Sequence, residues 1–115
     1  MVKAMYVHVP FCDSICAYCD FGRCKMQAQL ADRWLTAIER ELLKRQLPTA
    51  ISTLYIGGGT PSALSVKQLD TLLTLLDDYA RQTEEYSVEA NPENLSLEKL
   101  AVMKAHGVNR ISLGV

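Results

Sequence analysis

Residues 53–91 read TLYIGGGTPSALSVKQLDTLLTLLDDYARQTEEYSVEAN and contain one strand–helix–strand unit. We predict strands at Thr53–Ile56 and Tyr86–Asn91, and a helix between them that begins at Ser65, where Ser65 and Gln68 form a capping box. Apolar residues recur at helical spacing through this helix, at Leu69, Leu72, Leu73, Leu76 and Ala80. Because a helical crossover of this length joins parallel strands, the stretch predicts an α/β protein with a parallel sheet.

The same alternation continues towards both ends of the chain. Further strands are predicted at Ala4–Val9 and Arg110–Val115, which gives the order βαβαβαβ. The first helix is predicted from about Met26 to Gln46, with Leu30, Trp34, Ile38 and Leu42 on one face. The third is predicted to start near Ser96, to use Leu97, Leu100 and Ala101, and to end at Gly107.

The predicted strands have one polar and one apolar face each. Side chains alternate across a strand, so Tyr6 and His8 lie opposite Val7 and Val9, and Glu89 lies on a polar face of its own strand. Parallel strands covered by helices on both faces are nearly continuous apolar runs. The pattern therefore favours the N-terminal part of a partial β/α (TIM-like) barrel with a polar interior, while a doubly wound sheet remains the alternative.

Length and composition limit the function classes. A complete barrel takes ~250 residues, so we expect residues 1–115 to be the N-terminal portion of a longer core domain whose remaining barrel and C-terminal domain are absent. A net charge of −1 does not indicate a nucleic-acid partner. No apolar run approaches the ~18 residues of a membrane span, and the residues before the cysteines lack the longer apolar core of a signal peptide. We therefore expect a cytoplasmic protein, whose thiols stay reduced.

Cys12, Cys16 and Cys19 form a C-x3-C-x2-C triplet directly after the first strand. Three thiolates this close can bind one metal centre and leave a position open, which is typical of a reactive site. A [4Fe–4S] cluster with one open iron fits this spacing. A zinc site completed by His8 or Cys24 is the alternative, and we interpret Cys24 as a free thiol.

The other candidate residues follow the carboxyl ends of the predicted strands, where α/β proteins place their sites. Gly57–Thr60 follows the second strand and lacks the pattern of a phosphate-binding loop, so a tight turn is the alternative. For Glu89 the alternatives are a solvated carboxylate or an ion pair with Arg110. Asp77 and Asp78 are interpreted as solvated charges near a helix end. No nucleophile set is evident, and no catalytic residue is assigned.

Four motifs together resemble a known family. They are YVHVPFCDSICAYCDF (residues 6–21), YIGGGTPS (55–62), EANP (89–92) and GVNRISLGV (107–115). The cysteine loop is similar to that of radical S-adenosylmethionine enzymes. All four motifs resemble the oxygen-independent coproporphyrinogen III oxidase family and its haem-chaperone relatives of the HemW type.

The resemblance implies a fold, two cofactors and a set of site residues. It implies a partial β/α barrel in which Cys12, Cys16 and Cys19 hold a [4Fe–4S] cluster whose open iron binds S-adenosylmethionine. By the same resemblance, an electron from the cluster would cleave that cofactor to methionine and a 5′-deoxyadenosyl radical, which abstracts hydrogen. The residues implied to line the S-adenosylmethionine pocket are Tyr6, Gly58, Gly59, Thr60 and Glu89, with Tyr18 close to the cluster.

One departure from the family pattern separates two functions. The oxidases carry a further cysteine two residues after the third cluster cysteine, where this chain has Phe21. This favours a haem chaperone that delivers haem to respiratory proteins, with haem as a further ligand of the full-length protein. An oxygen-independent coproporphyrinogen III dehydrogenase acting on a porphyrinogen is the alternative. The electron donor stays open, and the 115-residue segment alone is not expected to be active.

Overall fold

Strands and helices alternate along the whole chain. The computed structural model describes residues 4–11, 21–45 and 51–113. Its elements are β1 (Ala4–Val9), α1 (Phe21–Arg45), β2 (Thr53–Gly58), α2 (Val66–Ala80), β3 (Glu85–Ala90), α3 (Leu97–Ala105) and β4 (Arg110–Leu113), with single 3-10 turns at Pro61–Ala63 and Pro92–Asn94. The predicted order βαβαβαβ is confirmed.

The four strands form one parallel sheet in the order β1-β2-β3-β4. A doubly wound sheet reverses its strand order part-way and carries helices on both faces. Here spatial order follows chain order, and α1, α2 and α3 contribute to one hydrophobic cluster with a single face of the sheet. The barrel-type arrangement is therefore confirmed over the doubly wound alternative.

The apolar face of the sheet and the helices enclose the core. Its strand residues are Val7, Val9, Leu54, Ile56, Tyr86 and Val88, and they pack against Ala31, Leu35, Leu69, Leu72, Leu73, Leu76, Tyr79 and Met103 from the helices. The opposite face has two rows across the strands. Tyr6 pairs with Tyr55, which pairs with Ser87, and Glu89 pairs with Ser112 in the next row. This second face is the polar interior that strand alternation predicts.

Local capping sets the helix boundaries. Ser65 Oγ accepts from Gln68 N over 3.1 Å, and Gln68 Oε1 accepts from Ser65 N over 3.1 Å, so the predicted capping box is confirmed. Ser96 caps α3 by accepting from Lys99 N. After α3, Gly107 has a φ of +93°, a conformation that glycine adopts without strain. Its amide donates to Lys104 O, which closes the helix.

The predicted apolar faces of two helices are confirmed in part: Trp34, Ile38, Leu42 and Leu100 pack against the core, but the most buried residues lie beside the predicted rows. α1 begins at Phe21 and buries Ala31 and Leu35, whereas Leu30 is 45% exposed. In α3 the buried residue is Met103, and Leu97 is 85% exposed. In α1 the apolar stripe is wider than one row of i+4 positions, so that row does not show where the centre of the stripe lies. α3 has nine residues and therefore too few apolar positions to define its buried face.

Strand ends also differ slightly from the prediction. β2 continues through Gly58, and β3 spans Glu85–Ala90 and so ends before Asn91. Leu113, which strand alternation places on the face opposite Ser112, is 55% exposed because nothing in the described part of the chain covers the outer edge of β4. Within residues 4–11, 21–45 and 51–113 no helix is long and apolar enough to cross a membrane.

Candidate functional site

The carboxyl ends of β2, β3 and β4 surround a cavity of about 690 Å³. The cavity is lined by Gly58, Gly59, Thr60, Glu89, Ala90, Asn91, Pro92, Glu93, Ser112 and Leu113. Because parallel strands end at the same edge of the sheet, loops from distant parts of the chain meet here. Four of the implied site residues, Gly58, Gly59, Thr60 and Glu89, thus line one cavity.

The glycine segment, Gly57–Thr60, is hydrogen-bonded to the backbone of the residues that precede the cysteine triplet in the sequence. Gly59 N donates to Val9 O over 2.7 Å, and Thr60 N donates to Phe11 O over 2.6 Å. A Cβ on Gly59 would collide with the carbonyl oxygen of Phe11 and lie 3.0 Å from Val9 O. Glycine is therefore required here because two backbone segments approach each other closely, and one of them leads directly into Cys12.

Glu89 is held by two hydrogen bonds from β2. Tyr55 Oη donates to Glu89 Oε2 over 2.8 Å, and Gly58 N donates to Glu89 Oε1 over 2.8 Å. Gly57 leaves the space that the carboxylate occupies, since a Cβ there would collide with Glu89 Oε1. The carboxylate is thus fixed at the cavity wall by residues more than thirty positions away in the chain. It is therefore not freely solvated, and no cationic side chain pairs with it in the part of the chain that the structure describes.

Tyr55 is a site residue that the sequence reasoning missed. Its ring stacks on Tyr6 with centroids 5.7 Å apart and planes 13° apart, and its hydrogen bond to Glu89 raises the pKa of Tyr55 above the usual value. Tyr6 is 56% exposed on the polar face and is not among the residues that line the cavity, although it stacks on Tyr55. The alternation of β2 places Tyr55 on the polar face, and that signal could have identified it.

A buried serine joins the two loops that line the cavity. Ser62 is fully buried, and its Oγ donates to Asn94 Oδ1 over 2.7 Å and accepts from Asn91 N over 2.9 Å. Lys99 Nζ donates to Ser62 O over 2.6 Å and to Asn94 O over 3.0 Å. Desolvation lowers the pKa of Lys99. These bonds hold the segment after β2 against the segment after β3.

Two interpretations of charged residues are wrong. Arg110 Nη1 contacts Glu85 Oε1 at 2.8 Å and not Glu89, because Glu85 and Arg110 lie at the opposite end of their strands from the cavity. Asp77 is not simply solvated, since its Oδ1 lies 2.8 Å from His106 Nδ1. His106 Nε2 lies 2.8 Å from Asp70 Oδ1, so the imidazole bridges two carboxylates of α2. Asp78 does lie at the surface, beside Arg81.

The predicted metal ligands Cys12, Cys16 and Cys19 lie outside the described residues, as does Tyr18. Cys12, Cys16 and Cys19 belong to residues 12–20. Phe11 and the start of α1 at Phe21 flank that segment. The roles of the three cysteines and of Tyr18 stay predictions, as does the interpretation of Cys24 at the start of α1.

Residues 6–115 match the Radical SAM superfamily. The chain belongs to the Radical SAM superfamily. Membership implies a [4Fe–4S] cluster and S-adenosylmethionine as cofactors.

Within the superfamily, two groups of relatives resemble this chain. It is 42% identical over 120 residues to the haem chaperone HemW of Bacillus subtilis, covering 99% of this chain and 32% of that protein. It is 45% identical over 115 residues to HemW of Lactococcus lactis, covering 98% and 30%. The oxygen-independent coproporphyrinogen III oxidase of Salmonella typhimurium is 37% identical over 118 residues, covering 97% and 26%.

A solved radical SAM structure has the same fold. The chain matches the coproporphyrinogen III oxidase HemN of Escherichia coli with a TM-score of 0.75 and 34% identity, covering 99% of this chain and 27% of that one. The predicted resemblance to the coproporphyrinogen III oxidase family and its HemW-type relatives is confirmed. The chain spans about a third or less of the length of these relatives.

Proposed function

We propose that residues 1–115 form the N-terminal portion of a radical SAM core that binds a [4Fe–4S] cluster and S-adenosylmethionine, in a haem chaperone of the HemW type. The observation that carries this proposal is the cavity of about 690 Å³ at the strand ends. Its volume lies in the usual range of small-molecule sites. It lies beside the segment that leads into the cysteine triplet.

The charges of the cavity favour a cationic ligand. Glu89 and Glu93 are the charged side chains among its described lining residues, and both are acidic. S-adenosylmethionine carries an ammonium and a sulfonium group, and a carboxylate is a strong acceptor for an ammonium. The residues present therefore fit this cofactor.

The backbone of the glycine segment points to the same class of ligand. The amides of Gly58, Gly59 and Thr60 all donate within the protein, to Glu89, Val9 and Phe11 respectively. A phosphate group needs free N–H donors, and the amides of these three residues already donate to other protein atoms. Their peptide carbonyls are acceptors, which suit an ammonium group.

Each part of the chain then has a role. Cys12, Cys16 and Cys19 would ligate three irons of the cluster, and the Val9–Phe11 segment would anchor their loop to the glycine segment. Glu89 would orient the cofactor through a charge-assisted hydrogen bond. When bound, the cluster and S-adenosylmethionine supply one-electron radical chemistry, for which the protein provides binding and orientation.

The test is anaerobic reconstitution of the natural full-length protein that carries this segment, followed by EPR with and without S-adenosylmethionine. We expect an iron–sulfur signal that the cofactor perturbs. Protein that contains zinc and neither iron nor sulfide would contradict the proposal. S-adenosylhomocysteine, which lacks the sulfonium charge, is the matched ligand control and should perturb the signal less.

Two observations separate the chaperone from the oxidase. Phe21, in place of a further cysteine, and the identities of 42% and 45% to HemW proteins favour haem handling. The fold shared with an Escherichia coli coproporphyrinogen III oxidase keeps the dehydrogenase as the second candidate. The anaerobic full-length protein should bind haem stably without turnover. Conversion of coproporphyrinogen III to a decarboxylated product would instead establish the oxidase.

The remaining assignments also belong to this proposal. They are Tyr6 as a further contact of the S-adenosylmethionine site, Tyr18 beside the cluster, a haem-receiving respiratory protein as partner, and a cytoplasmic location.

A further inference from the structure

Both oxygens of Glu89 are already bonded within the protein. Tyr55 Oη holds Oε2, and Gly58 N holds Oε1, each over 2.8 Å. A carboxylate oxygen has two lone pairs, so each retains one for a ligand in the cavity. The two bonds fix the rotation of the carboxylate, and with it the direction of the free lone pairs.

Tyr55 is itself held in place. Its ring stacks on Tyr6, with centroids 5.7 Å apart. Gly57 adds to this, since a Cβ there would lie 2.8 Å from Tyr55 Cε1 and would collide with Glu89 Oε1. The Tyr55 ring thus stacks on Tyr6, and it fits beside Gly57 because that residue has no side chain.

We propose that Tyr55 is a positioning residue for Glu89: it holds the carboxylate at the cavity wall in the orientation that accepts the cationic group of S-adenosylmethionine. The proposal rests on the function proposed above and assigns to Tyr55 a role in that same site. A group that is held before the ligand arrives loses little conformational freedom on binding. Without the tyrosine hydroxyl, Glu89 would lose the bond that holds Oε2 while keeping the one from Gly58, and its carboxylate could rotate away from the cavity.

The hydroxyl is suited to this role at ordinary pH. The bond to Glu89 raises the pKa of Tyr55 above the usual value of a tyrosine. Tyr55 therefore stays protonated, and remains a donor, across the neutral range. Its contribution should not depend on pH there.

The test compares S-adenosylmethionine affinity in variants of the cluster-loaded full-length protein. Tyr55→Phe keeps the ring and its stacking but removes the hydroxyl. We expect a Kd about tenfold weaker, which is typical for the loss of one hydrogen bond to a charged group. Tyr86→Phe is the matched control, because it removes a hydroxyl with no hydrogen-bond partner among the described residues, and it should leave the Kd unchanged.

A double-mutant cycle separates positioning from a merely structural effect. In a Glu89→Ala background, Tyr55→Phe should weaken binding no further if the tyrosine acts on the ligand through the carboxylate. Iron and sulfide content should be equal in all variants, which checks that the cluster site assembles normally.

Each outcome bears on a different claim. If wild-type protein with a full cluster does not bind S-adenosylmethionine, the proposed function fails, whatever Tyr55 does. If Glu89→Ala weakens binding but Tyr55→Phe binds like wild type, the positioning role is refuted and the proposed function stands. If Tyr55→Phe weakens binding equally with and without Glu89, the tyrosine acts independently of the carboxylate, and the inference is also refuted.

Discussion

Replacing Gly59 by alanine should disconnect the glycine segment from the start of the cysteine loop. The added Cβ would collide with Phe11 O and lie 2.8 Å from Phe11 C and 3.0 Å from Val9 O. All three are backbone atoms of one segment, so no side chain can rotate away to make room. The segment itself has to shift.

The size of the effect follows from the contacts that would be lost. Overpacking of this kind costs about 1–3 kcal/mol. The shift would also weaken the bonds from Gly59 N to Val9 O and from Thr60 N to Phe11 O, each worth about 1 kcal/mol. We expect the free energy of unfolding to fall by about 3–5 kcal/mol, a large part of the stability of a typical domain.

Gly107→Ala is the matched control. Gly107 has a φ of +93°, and an added Cβ would find nothing within 4 Å. The cost is therefore one of backbone conformation alone, about 1–2 kcal/mol. The position also lies at the end of α3, away from the residues that line the cavity.

Two measurements read out the comparison. Urea unfolding gives the loss of stability, and iron and sulfide content after anaerobic reconstitution reports on the cysteine loop. Gly59→Ala should lose cluster content under conditions where Gly107→Ala keeps it. Equal cluster content in Gly59→Ala and wild type, with unfolding free energies within about 0.5 kcal/mol, would refute the close approach of the two segments.

Two further predictions concern residues outside the cavity. Desolvation lowers the pKa of His106, but hydrogen bonds and charge interactions with Asp70 and Asp77 outweigh it and raise the pKa above its ordinary value. Protonated His106 therefore stabilises the folded state. This contribution is complete below about pH 6.5 and is lost as pH rises through the folded-state pKa. His106→Gln should flatten the fall in unfolding free energy as pH rises above about 6.5, and a pH dependence identical to wild type would contradict the ion pairs. Tyr86→Phe should raise the unfolding free energy by about 1 kcal/mol, because the buried Tyr86 Oη has no partner in the described part of the chain and its burial is unfavourable; a clear loss of stability in chemical denaturation would show that the hydroxyl is bonded.

Much of the architecture could be predicted because its determinants are local. Strand alternation in β1 and β3, the Ser65–Gln68 capping box and the cap at Gly107 each depend on a few neighbouring residues. These patterns also placed the glycine segment and Glu89 at one edge of the sheet.

Helix orientation was less predictable. The apolar residues of α1 and α3 cover more than one row, so the face that turns inward depends on what packs against it. Leu97 and Leu30 fit a helical stripe in the sequence, yet both are exposed in the structure.

The sequence by itself determined the parallel β/α order, the motifs and the family, because hydrophobic periodicity, caps and motif spacing are properties of short stretches. Only the tertiary structure decided which groups touch. Tyr55 lies 34 positions from Glu89, and His106 lies 36 from Asp70. Such pairs meet only when strand register and helix packing bring them together, and the bond from Tyr55 to Glu89 is a consequence of that register.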